Sequence, residues 1–186
     1  MLSIKPLTTE NWQDFASLCA VMGPNRSCWC MWWRDDGGRP KDPARTRAWS
    51  LVERSSVPIG LIGYAKSDPV GWVAVGNRPA YPRLNRGRDT APIDGATGGW
   101  VIPCFFVREA YRGRGMATAL LNAAVEFAHE HGASAVEGVP GDPATRRRSP
   151  TASYTGTTAM FAQAGFVECA RRTPKGRVLM RRELNP

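Results

Sequence analysis

In the stretch YRGRG, Tyr111 to Gly115, two arginines and two glycines fill four consecutive positions, a combination suited to gripping an anion. Arg112 and Arg114 bring positive charge, while Gly113 and Gly115 lack a Cβ, so main-chain N–H groups can close on a ligand. A phosphate or pyrophosphate is the natural guest. The elements on either side decide whether such a grip can form. Ahead runs WVIPCFFV, Trp100 to Val107, a continuous apolar segment of β-branched and aromatic residues that predicts a buried strand. Behind, Ala117, Leu120, Leu121, Ala124 and Ala128 recur at helical spacing, and Gly132 follows as a stop. A strand-to-helix junction leaves the first helical N–H groups unpartnered at the positive end of the helix dipole, where an anion is held by the main chain.

Two other phosphate motifs do not fit. A P-loop needs Gly, four residues, then Gly-Lys-Ser/Thr, and no such run exists; a dinucleotide fingerprint needs a third glycine where Thr118 stands.

The pattern that fits is Arg-x-x-Gly-x-Ala, Arg112 to Ala117, which resembles motif A of the GCN5-related N-acetyltransferase (GNAT) superfamily. TTAMFAQAGFVECAR, Thr157 to Arg171, is similar to the family's other signature, a helix ending in Gly-Phe that leads into a strand. Together they span Trp100 to about Arg182; the first hundred residues resemble the family only in coarse pattern. The resemblance implies a single α/β domain over residues 1–186, a mixed, mostly antiparallel sheet flanked by helices. It also implies transfer of an acetyl group from acetyl-CoA, the co-substrate, to a primary amine by direct attack in a ternary complex. The backbone around Arg112, Gly113, Arg114, Gly115, Met116, Ala117 and Thr118 is then expected to cradle the pyrophosphate. Phe105, Phe106 and Val107 are expected to align the acetyl and pantetheine arms. Pro103 has no N–H and interrupts strand pairing, which suits a family whose motif strand splays from its neighbour; an edge irregularity is the plainer account.

An alkyl amine is protonated at neutral pH and must lose its proton before it attacks. Glu137 lies in an otherwise apolar strand, and its VEGV setting resembles the Leu-Glu-Val of ribosomal-protein N-terminal acetyltransferases, where the glutamate is the base. The same carboxylate also suits a structural pair with an arginine. The tyrosine that often protonates the departing thiolate in this family falls at Phe161, which has no proton to give. Tyr154, seven residues upstream, is the substitute acid if its loop folds inward; otherwise it packs. Trp32 and Trp33, with Trp29, precede the second helix, where this family builds its acceptor site, so they line an acceptor cleft or form an aromatic core. Nothing near Cys28 or Cys30 marks a lowered thiol pKa.

The chain has 186 residues and a formal net charge of +9, one domain by size. Its arginine clusters suit coenzyme A phosphates, and no nucleic-acid motif accompanies them. Five cysteines, an odd number, argue against a disulfide framework, and no cysteine or histidine spacing calls for a metal. No apolar run approaches the roughly 18 residues that span a bilayer, and the first residues lack a signal-peptide pattern, so a cytoplasmic protein with no membrane partner is expected, in a form compatible with a homodimer. The element order β-α-α-β-β-β-α-β-α-β-β is expected, with residues 78–98 as a loop. Two alternatives stay open: a non-catalytic acyl-CoA sensor, which the missing tyrosine favours, and transfer of another acyl group.

Overall fold

The computed structural model describes residues 2–23, 27–38, 40–93, 99–144 and 154–184. Strand β1 (Leu2–Pro6) forms one edge of the sheet and stops at the proline, which has no N–H to continue a ladder. Helix α1 (Trp12–Ala20) follows, with Trp12, Phe15, Leu18 and Cys19 buried on one face. It starts two residues later than the sequence pattern predicts. Asn11 closes the preceding turn, accepting from the Thr8 N–H at 2.8 Å and donating to the Pro6 carbonyl at 2.9 Å. Helix α2 (Ala44–Arg54) is launched by Pro43, whose fixed φ suits a helix start.

Strands β2 (Gly60–Ala65) and β3 (Asp68–Asn77) form the predicted antiparallel hairpin. The next segment departs from expectation. Residues 78–86, read as loop, hold a 3-10 turn at Arg78–Ala80 and a short helix, α3 (Pro82–Arg86). Tyr81 and Leu84 are fully buried there, packed with Val101, Val139 and Leu179. Nine residues punctuated by two prolines are too short to show a hydrophobic period; burial against distant strands makes them helical.

Strand β4 (Trp100–Val107), helix α4 (Met116–Glu130), strand β5 (Ala135–Gly138), helix α5 (Thr158–Gln163) and strands β6 (Val167–Ala170) and β7 (Leu179–Glu183) complete the chain. Thr157 caps α5, accepting from the Met160 N–H at 3.2 Å. The seven strands lie in the order β1-β2-β3-β4-β5-β7-β6, antiparallel except for the β4–β5 pair. Helix α4 covers one face over an apolar core that includes Met116, Leu120, Leu121 and Phe161. On the other face, α1 and α2 enclose Trp12, Phe15, Trp72 and Phe106.

The register at β4 positions the site. The parallel ladder runs Trp100↔Val136, Val101↔Glu137, Ile102↔Gly138 and ends. The next residue is Pro103, and the β3–β4 register slips between Ala74 and Gly76, opposite it. Residues 103–107 thus extend beyond the last β5 pair, with no ladder partner on that side among the described residues. The end of β5 is also crowded. A Cβ at Gly138 would sit 2.0 Å from Phe161 Cε1, and that ring is fully buried. Gly138→Ala is therefore expected to lower stability by about 1–3 kcal/mol, the range for overpacking a filled core; chemical denaturation measures it, and an unchanged midpoint would show that the Phe161 ring yields.

Candidate functional site

Between β4 and α4 the chain forms an open cradle. Gly113 and Gly115 have φ values of 71° and 80°, a left-handed conformation that side chains with a Cβ adopt only at a cost. The first α4 bond is from the Ala119 N–H to the Gly115 carbonyl, at 2.9 Å. The helix therefore supplies no acceptor to the N–H groups of Met116, Ala117 and Thr118. A Cβ at either glycine would meet nothing within 4 Å, so the space over this backbone is open. Arg112 Nε donates to the Val107 carbonyl at 3.0 Å, fastening the loop to the end of β4. The Arg114 guanidinium lies 5.9 Å from the Tyr111 ring centre. The Met116 side chain is buried in the core under α4, so of that residue only its backbone faces the cradle.

On the α1–α2 side of the sheet lies a cavity of about 530 Å³. Cys104 of β4 forms part of its wall, together with Trp32 and Trp33 and with Tyr154 and Arg177 from the C-terminal segments. Side chains alternate along β4. Phe105 and Val107 point into the α4 core and Phe106 into the α1–α2 core, so any contact of these three with a ligand is through their backbone. Tyr154 stacks on Phe106, ring centres 6.2 Å apart and planes within 11°, and its hydroxyl donates to the Met22 carbonyl.

The tryptophans divide. Trp29 packs with Trp12 and Phe15 beside the α1–α2 core, whereas Trp32 and Trp33 line the cavity, Trp32 being 58% exposed. Their loop is braced by cations. Arg83 lies 3.9 Å over Trp32, Arg177 lies 5.7 Å from Trp33, and Arg34 donates to the Tyr81 hydroxyl at 2.7 Å.

Of the two roles open to Glu137, amine base or structural pair, the geometry shows the pair: the carboxylate is held in a buried ion pair. Oε2 accepts from Arg78 Nε and Oε1 lies 3.6 Å from Arg181. Arg78 is fully buried, its other nitrogens donating to Asn85 Oδ1 and to the Thr90 carbonyl. Glu137 does not line the cavity. Protonating a carboxylate that neutralises a buried guanidinium would leave that charge uncompensated, which is costly.

Phe161 faces the α4 side of β4, edge-on to Phe105 at 5.9 Å and to Phe166 at 4.9 Å, while Tyr154 stands on the cavity side. The two rings thus flank β4 from opposite faces. The cysteines are all free thiols. Burial pushes the Cys28 thiol up to about 11. Cys30 is raised further by its contact with Cys104, 3.9 Å away, and by burial, despite the Trp72 indole N–H donating to it at 2.9 Å.

Several cavity residues escape a sequence reading. Cys104 lies in the predicted cofactor strand itself, so its alternation with Phe105 is a usable signal. Asp35, Arg47 and Arg177 give none, because only the fold gathers segments so far apart in the chain.

Among the described residues, no helix is long and apolar enough to cross a membrane, and no cluster of three His, Cys, Asp or Glu residues is arranged for a metal. The sequence profile of the Acetyltransferase (GNAT) family matches residues 10–147. A comparison with curated proteins gives no match. Solved structures share the fold at low identity. The GNAT domain of S. lividans PAT has TM-score 0.57 and 19% identity, over 97% of this chain and 89% of that one. A GCN5-related N-acetyltransferase from Kribbella flavida has TM-score 0.56 and 18% identity, over 98% of each. A chain of the NatC complex bound to Gag peptide and CoA has TM-score 0.58 and 14% identity, over 99% of each. With the profile covering most of the chain, and with an open glycine cradle following a strand that outruns its parallel neighbour, the protein belongs to the GNAT family of acetyltransferases.

Proposed function

We propose that the chain is an acetyl-CoA-dependent N-acetyltransferase that acts on a primary amine of a small molecule or peptide, by direct attack in a ternary complex. The observation that carries this reading is the placement of two sites on one strand. The cradle follows the end of β4, the cavity opens on its flank at Cys104, and the ladder beside residues 103–107 is open. Acetyl-CoA supplies an activated thioester. The chain supplies N–H groups at residues 116–118 with Arg112 and Arg114 for the pyrophosphate, and the backbone of residues 105–107 for the pantetheine arm and carbonyl. The NatC relative, bound to CoA and a peptide, supports room for two ligands in this fold. Burial holds Cys28 protonated, and the Cys104 contact together with burial does the same for Cys30, which disfavours either as an acyl carrier and favours direct attack.

Tyr154 is the cavity's tyrosine, a phenol able to give a proton to the leaving thiolate. Its side chain stands against β4 over Phe106. Amine-dependent release of free thiol from acetyl-CoA tests transfer itself, and binding without release would support an acyl-CoA sensor. Tyr154→Phe is expected to lower kcat at least about tenfold. If the hydroxyl merely holds Met22, the loss will appear in the acceptor KM with kcat kept.

A further inference from the structure

The cavity contains the means to bind an amine but, among its described residues, nothing free to deprotonate one. The one carboxylate among its described lining residues is Asp35, which accepts from two nitrogens of Arg47, one of them at 3.5 Å. Arg47 also lines the cavity, and Arg177 adds a second guanidinium. Neither histidine lines the cavity: His129 is in the last turn of α4 and His131 follows it, its Nδ1 2.7 Å from the Phe127 carbonyl. The thiols Cys28 and Cys30 are protonated at neutral pH for the reason given above, and Cys104 sits against Cys30. Tyr154 directs its hydroxyl hydrogen to Met22. Glu137 is spent on Arg78 outside the cavity. Among the described lining residues, the formal charges are two arginines and one aspartate, a balance that disfavours an ammonium group and leaves a neutral amine unpenalised. The rest of the lining is largely apolar and aromatic.

Resting on the acetyltransferase reading, we infer that the acceptor is a weakly basic primary amine on a flat apolar or aromatic body, captured in its neutral form. The nitrogen lone pair forms the N–C bond to the thioester carbonyl. The C–S bond breaks with its electron pair on sulfur. One proton leaves nitrogen for water, and sulfur takes one from the Tyr154 hydroxyl, which water then restores. No protein carboxylate takes part in the first proton loss.

The test uses the full chain, acetyl-CoA and a panel of aromatic primary amines of similar size, from benzylamine through ring-substituted benzylamines to anilines, with kcat/KM measured by thiol release from about pH 6 to 10. With each benzylamine, kcat/KM should rise about tenfold per pH unit until that amine's own pKa, so that the break moves when the amine is exchanged. At pH 7 the less basic benzylamines should outpace the more basic ones by up to about tenfold per unit of pKa. A break fixed at one pH below the pKa of every benzylamine would reveal a protein base and overturn this inference while leaving acetyl transfer intact. Thiol release with an alkyl amine or a peptide N-terminus but with none of the aromatic panel would overturn this inference while leaving acetyl transfer intact, and absence of release with all of them would overturn the transfer reading, and this inference with it.

Discussion

Replacing Glu137 with glutamine is expected to destabilise the protein by about 3 kcal/mol or more, with turnover of the molecules that remain folded largely kept. The carboxylate is 5% exposed and the Arg78 side chain it pairs with is fully buried. Removing one partner of such a pair leaves an uncompensated charge in a low-dielectric interior, at a cost of about 3–5 kcal/mol. Glutamine returns one acceptor oxygen but not the charge. Urea denaturation reads the loss. The double variant Arg78→Met with Glu137→Leu should regain much of it, because apolar replacement of a whole buried pair is close to neutral. The opposite result is equally clear. A Glu137→Gln protein as stable as the parent, binding CoA normally and about a hundredfold slower in turnover, would restore Glu137 as the base and require Arg78 to be held by Asn85 and Thr90 alone.

Gly115→Glu should abolish most CoA binding in a protein that still folds. At φ 80° any residue with a Cβ is strained by roughly 1–2 kcal/mol, yet the space above is open, so the new side chain meets no packed atom. It places a carboxylate beside the N–H groups of residues 116–118, where a pyrophosphate would otherwise lie. A loss of roughly a hundredfold or more in affinity is expected by calorimetry, nearly 3 kcal/mol at 1.4 kcal/mol per tenfold. Gly115→Ala separates strain from charge and should lose far less. Unchanged affinity in a folded Gly115→Glu protein would move the phosphate site away from this loop.

The elements were legible wherever a short window held the whole cause. The apolar run of β4, the glycine knuckle and the helical spacing of α4 are local properties of about thirty consecutive residues, and the strand, turn and helix lie where those patterns predict them. Pro103 announces a break in pairing because an absent N–H is a fact about one residue. The register shows which neighbour is lost, since the β5 ladder stops at Ile102.

What the sequence left open depends on partners far along the chain. Glu137 in an apolar strand means a buried carboxylate, but base or structural anion turns on what stands opposite. Arg78, 59 residues earlier, is brought there by a turn that becomes helical only once Tyr81 and Leu84 are buried. The three tryptophans of CWCMWWR look alike in sequence. Trp29 falls against Trp12 and Phe15 while Trp32 and Trp33 face the cavity, because backbone direction through that loop assigns each ring its side. The cavity itself joins residues near 22–47 to Cys104, Tyr154 and Arg177. Composition set the protein's net positive charge. Only the tertiary structure decided that Asp35 and Arg47 neutralise one another inside that cavity, because Coulomb energy depends on separation in space and chain order records none of it.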